Sequence, residues 1–392
     1  MSPNSVRIIL IEDPEMNAFV IGSRTIFIHT GMLTRLKTVP MIQAVIAHEV
    51  AHIRSGHQIA RQIGAENTGR AAGLGILLAA IAAGSGNGDA ALPLAMGAQQ
   101  IATRRRLAHS RAQEASADQA SVRYLAKAGI DPKATLDTLN LFRGQEILAT
   151  TRIDPYVQTH PLNAQRRRFL EDVAHGTRFT PAPDDKTIAY WHGRMVAKLN
   201  GFLRNPKAQL KRIARGDTSE IAAYIRAIAA HRASDKQARV AIDALIQKRP
   251  KDPYYRELRG QFHYESGRID AAIADYQAAS RLAPRESLIT TGLARALLAK
   301  NTRATDRKAL KLLQKAYAHD RDDPRLLRNL ALAHARLGDT GRASLATAER
   351  YALLGRLKDA GLHAKRAAGQ LTRGSPQWKK AQDIVRSARN VK

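Results

Sequence analysis

Residues 41–57 read MIQAVIAHEVAHIRSGH, and the reading of the N-terminal half turns on them. Ile42, Val45, Ile46 and Val50 recur at the spacing of an apolar helical face, which predicts a helix over Met41–Ile53. Within it stand His48, Glu49 and His52. Residues four apart share one face of a helix, so both imidazoles can point at one ion. Glu49 lies one position along, close enough to reach a water at that ion without being a ligand. A zinc ion makes such a water more acidic, and a carboxylate beside it can take the proton. With 13 histidines in 392 residues, chance places this five-residue pattern in about one chain in a hundred of this composition.

Two imidazoles need a further donor. The Met-turn metalloproteases place a glycine three residues, and a histidine six residues, after the second histidine; here those positions hold Ser55 and Gln58, which excludes that class. There is no cysteine, so a metal here is held by His, Asp or Glu. RAQEASAD, residues 111–118, sets Glu114 and Asp118 four apart on one helical face. Glu114 is the candidate to complete a His-His-Glu set. Asp118 is the candidate to accept a hydrogen bond from a ligating imidazole and fix its tautomer. His57, five after His52, falls off the ligand face and reads as structural.

Around this centre the pattern predicts short strands and long helices. Val6–Ile11 reads as a buried strand, and Asn17–Val20 and Thr25–His29 as further strands of a small sheet. A second helix is expected from about Gln99 to Leu125, closed by Gly129 and Pro132. Between the two helices the longest apolar run, Ala71–Gly84, has 14 residues, short of the roughly 20 that span a bilayer. With Ala90–Met96 it reads as a core or active-site-covering element in preference to a membrane-dipping one. Thr180–Lys186 (TPAPDDK) reads as a hinge.

Beyond the hinge the chain is helical and repetitive. Gly260, Gly267, Ala272, Tyr276, Ala279 and Pro284 keep the small-and-large spacing of a 34-residue helix-turn-helix unit. Looser echoes follow at Leu330, Ala331, Gly338 and Ala343, then at Gly355 and Ala360; Arg256 and Arg259 occupy positions that are usually apolar. This resembles the tetratricopeptide repeat. The charge is as uneven as the architecture. Of a formal +29, residues 1–180 carry net +6 and residues 181–392 net +23. The aromatic fraction is 5%, without aromatic-basic interleaving, which argues against a nucleic-acid platform. The excess reads as solvated helix faces together with attraction to an acidic partner, in preference to anionic lipid.

HEVAHIRSGH, then EASAD, then AGIDP (Ala128–Pro132) and Thr159-His160-Pro161 with Arg166 resemble the M48 family of zinc metallopeptidases. Asn17-Ala18-Phe19 and Thr25–Leu33 match that family's early strands, so the resemblance covers about residues 5–175. It implies an α+β zincin-like metallopeptidase domain, mostly helical with a small sheet, followed by an all-α domain of tetratricopeptide-like repeats. The expected bounds are 1–179 for the peptidase domain, 180–218 for a linker and connecting helix, and 219–392 for the repeats. It further implies one Zn2+ per chain, bound by His48, His52 and Glu114, with Glu49 as general base and Asp118 orienting a histidine ligand. His160 and Arg166 are expected near the metal, stabilising the oxyanion or restricting access. Asn17–Val20 becomes the edge against which an extended substrate lies.

The expected activity is endopeptidase cleavage of misfolded or unassembled envelope proteins, since no group for capturing a chain terminus can be identified. The competing reading is a chaperone or scaffold with an occluded or inactive zinc site. With the repeats behind the peptidase domain, the whole chain resembles the periplasmic branch of the M48 family, which is tied to quality control of outer-membrane assembly. That implies protein and peptide substrates, a protein docked on the repeats such as an outer-membrane assembly component, and a membrane surface as partners, with no nucleic acid. The branch is periplasmic or membrane-associated, and the alternative is cytoplasmic. No signal peptide is visible, so Met1 is expected to be an internal start with the signal upstream.

Overall fold

Three short strands and the helices after them build the N-terminal unit. The computed structural model describes residues 5–21, 24–56, 111–143, 156–157, 160–161, 164–183, 186–213 and 216–389. The chain divides into two units, Met1–Asn200 and Gly201–Lys392. In the first, β1 (Arg7–Ile11), β2 (Ala18–Ile21) and β3 (Thr25–His29) form a sheet in the order β1-β3-β2. β1 runs parallel to β3 from Arg7↔Thr25 to Ile11↔His29, and β2 is antiparallel to it from Ala18↔Ile28 to Ile21↔Thr25.

The buried strand is β3 and not, as expected, β1. TIFIH lies in the middle and buries Ile26 and Ile28, whereas Ile8 and Leu10 of β1 are 48% and 55% exposed. β1 is an edge, so its continuous apolar run divides by the two-residue period of a strand and half of it faces outward. Behind β3 follow α1 (Thr30–Arg35) and α2 (Val39–Arg54). Thr38 caps α2 by accepting from the Met41 N–H, and Pro40 fits the first turn, where no donor is needed. Met16, Ile26, Met32, Leu36, Met41, Val45 and Phe142 form one core between sheet and helix.

Residues 111–127 form α3, followed by α4 (Lys133–Asn140), α5 (Ala164–Gly176) and α6 (Lys186–Leu203). Ala51 of α2 packs on Ala117 and Ala120 of α3; these small side chains bring the two backbones together. The stretch expected to be a hinge is held at one point: the Ala182 N–H donates to the Gly129 carbonyl at 2.9 Å. The Ala71–Met96 run, His57, Thr159 and the first part of the second helix lie outside the described residues.

The second unit is helical: α7 (Pro206–Arg212), α8 (Glu220–Arg232), α9 (Gln237–Lys248), α10 (Pro253–Glu265), α11 (Ile269–Leu282), α12 (Ser287–Ala299), α13 (Arg303–His319), α14 (Pro324–Arg336), α15 (Thr340–Leu353), α16 (Leu357–Gln370) and α17 (Pro376–Arg389). The repeat spacing has its cause in α10 and α11. A Cβ on Gly260 would stand 3.1 Å from the Tyr276 ring, and one on Gly292 of α12 only 2.5 Å from it. Two glycines thus seat one buried tyrosine across three helices. Gly267 turns α10 into α11 at φ +74°, a conformation other residues resist. Arg259, at its usually apolar place, is held by two carboxylates: Asp275 at 2.6 Å and Asp243 at 2.8 Å. Among the described residues, no helix is long and apolar enough to cross a membrane.

Candidate metal centre

His48, Glu49 and His52 leave α2 on its inward face, each at most 3% exposed. The close Ala51–Ala117 packing brings Glu114 opposite them. Glu114 Oε2 lies 3.3 Å from His48 Nε2, and its Oε1 lies 3.4 Å from His52 Nε2. The two imidazole Nε2 atoms are 3.0 Å apart. His160 enters the same space, with Nδ1 at 3.0 Å from Glu114 Oε2 and 3.2 Å from His48 Nε2. Donor atoms of His48, His52, Glu114 and His160 all lie within 4.8 Å of one another, and all four residues are buried. Tetrahedral ligands at zinc bond lengths of 2.0–2.1 Å stand about 3.3 Å apart, so the donor set fits such an ion in type, number and spacing.

Around the donors stands a supporting layer. His48 Nδ1 is 3.0 Å from Asp118 Oδ1, which turns Nε2 inward, where a bound ion would take its lone pair. Arg166 grips Asp118 with both arms of its guanidinium: Nε donates to Oδ2 at 2.7 Å and Nη2 to Oδ1 at 2.9 Å. Its Nη1 donates to the carbonyls of His160 and Pro161, at 3.1 and 3.0 Å, and stands 3.2 Å from Glu114 Oε2. Arg166 therefore faces the supporting layer and the backbone of the His160 segment. Glu49 Oε1 is 3.4 Å from His160 Nε2, on the far side of that ring from Glu114.

The electrostatics follow from burial among these charges. Burial alone would lower the His48 imidazole, but hydrogen bonds to Asp118 and Glu114, with their charges, raise it to about 9. Burial lowers His52 to about 3 against its bond to Glu114, and the neighbouring His48 adds to the fall. Burial would raise Glu114 and Asp118. Bonds and charges from the histidines hold Glu114 far below the usual carboxylate range, and Arg166 brings Asp118 down to about 2. His48 and His52 cannot both be charged at this separation, and the cluster keeps a positive charge between carboxylates.

Tyr156 escaped the reading of the sequence. It is 4% exposed, its ring centroid lies 4.7 Å from that of His160, and it stacks on Phe142 at 5.2 Å. Its N–H donates to the Met16 carbonyl at 3.3 Å and its carbonyl accepts from the His160 N–H at 2.8 Å, so it ties His160 to the loop before β2. Burial and the charge of Glu49 push its phenol well above the usual value. The only hint in the sequence was its place four residues before His160.

Residues 1–174 match the family model described as Peptidase family M48, and residues 212–352 match one described as Tetratricopeptide repeat. Two relatives named Beta-barrel assembly-enhancing protease, from Escherichia coli (strain K12) and Shigella flexneri, are each 25% identical over 378 residues, 94% of this chain and 75% of theirs. A solved structure described as "Crystal structure of MamA" is 15% identical over 42% of this chain and 92% of its own, with a TM-score of 0.32. The chain thus carries a peptidase family M48 domain followed by tetratricopeptide repeats.

Proposed function

We propose that this protein is a zinc-dependent endopeptidase acting on misfolded or unassembled envelope proteins, with its repeats docking a protein partner. The observation that carries the reading is the buried His48-His52-Glu114 set with Glu49 beside it. Zinc bound there would supply Lewis acidity toward a water and a peptide carbonyl. Glu49 takes the proton of the attacking water and returns it to the leaving amine. Asp118 holds the His48 tautomer, and Arg166 is a positioning residue that holds Asp118 and the His160 segment. β2 stands at one end of the strand order β1-β3-β2, the position at which an extended substrate would add a strand. The relatives' name supports an envelope setting and an outer-membrane assembly partner, and with it a periplasmic or membrane-associated location.

The test is casein cleavage at one zinc per chain. Cleavage should stop on chelation and return with stoichiometric zinc; activity indifferent to the chelator would refute the reading.

A second reading concerns regulation. His160 lies between Glu49 and the three expected ligands His48, His52 and Glu114, 3.0 Å from Glu114 and 3.4 Å from Glu49. In that position it occupies the space a substrate carbonyl needs, so the resting enzyme should be weakly active. His160→Ala should raise casein turnover several-fold while zinc content stays at one. A fall in turnover would instead make His160 a contributor to the transition state.

A further inference from the structure

The outer face of α13 carries a charge pattern that the peptidase reading does not use. Arg303, Arg307, Lys311 and Lys315 follow one another at four-residue spacing, Lys308 stands beside them, and all five are exposed. At 3.6 residues per turn they occupy an arc of about 140°, in a row about 18 Å long. Only Ala304, Gln314 and Ala318 share that arc. The helix has one acid, Asp306, which is buried and faces Arg336 at 3.5 Å.

Some cations of this unit are paired, as in Arg249–Glu220, Lys300–Asp270 and Arg342–Asp339. Among the described residues, no carboxylate forms an ion pair with any of the five; Lys315 donates to the Pro284 carbonyl at 3.3 Å. The arrangement works against the helix that bears it. Three successive like-charge pairs stand at the destabilising four-residue spacing, and Arg303 and Arg307 put cations at the end the helix dipole makes positive. A local rule broken three times along one face points to a function for that face.

The chemistry of the face selects the occupant. Protein interfaces centre on aromatic or aliphatic anchors and are depleted in lysine. Here three of the five cations are lysine, and nothing apolar larger than alanine shares the arc. A straight, anchor-free row of cations on a convex helix suits a flat, diffuse anionic surface. We propose that the outer face of α13 docks this protein on a membrane leaflet carrying anionic phospholipid headgroups. The proposal is independent of the peptidase reading, and its test does not measure proteolysis.

Each cation near such a surface contributes about fivefold in binding. The full chain should co-sediment with phosphatidylglycerol-phosphatidylcholine vesicles at physiological salt and not with phosphatidylcholine alone. Arg303→Gln, Arg307→Gln, Lys308→Gln and Lys311→Gln together should lower the partition coefficient by more than about tenfold. A control with the same loss of charge on other exposed positions, Lys358, Lys365, Arg366 and Lys379 to Gln, should lower it by less than about threefold. The α13 variant, relieved of repulsion, should melt no lower than wild type. Equal losses in the two variants, equal binding to neutral vesicles, no binding by wild type, or tighter binding to duplex DNA or polyglutamate at the same salt would overturn the proposal.

Discussion

Glu49→Gln should abolish casein cleavage while leaving one zinc per chain. Glutamine keeps the shape of the side chain at a site where the residue is 1% exposed, so the packing of α2 is preserved. It cannot accept a proton. General-base catalysis contributes about 10²–10⁴ in rate, and turnover should fall by at least that factor. The donor set does not include Glu49, so the metal stays. This separates loss of chemistry from loss of the ion, which chelation alone cannot do. The pair of measurements is zinc per chain by atomic absorption and initial rate on casein. A variant that cleaves at the wild-type rate removes Glu49 from the mechanism, and one that loses zinc makes Glu49 part of the binding site.

The sequence made some of this centre legible and hid the rest for a physical reason. His48 and His52 share a face because four residues nearly complete a helical turn, which needs no tertiary information. Glu114 and Asp118 share a face by the same rule, but only the Ala51–Ala117–Ala120 contact turns that face toward α2. The fork between Arg166 and Asp118 spans 48 residues and involves a side chain that reads as surface charge. Tyr156 gave less warning still: a lone tyrosine before His160 has no spacing to betray that Phe142 and the Met16 carbonyl fix its place. The sheet illustrates the same limit. VRIILI and TIFIH are equally apolar, and pairing order alone makes β3 central and leaves Ile8 and Leu10 exposed. In the repeats, Gly260 was legible as a small residue, whereas the two aspartates that accommodate Arg259 come from different helices.

Arg166→Met should be the most destabilising single change in the N-terminal unit. The guanidinium is 6% exposed and sits among Asp118, Glu114 and the carbonyls of His160 and Pro161. Methionine fills much of the volume but leaves two carboxylates, each 1% exposed, without their cation. Removing one partner of a buried pair costs about 3–5 kcal/mol, which for a unit of this size lowers the melting temperature by on the order of 10 °C. Arg166→Lys keeps the charge and loses the two-armed grip, so it should recover only part of that loss. Because Asp118 sets the His48 tautomer, zinc affinity should fall about 10–100-fold in Arg166→Met. Adding Asp118→Asn removes the stranded charge, so the double variant should be more stable than the sum of the single changes predicts. Such coupling, together with weakened zinc binding, identifies Arg166 as a positioning residue. An Arg166→Met enzyme with unchanged melting and zinc affinity but a much lower kcat would place the guanidinium on the transition-state oxyanion instead.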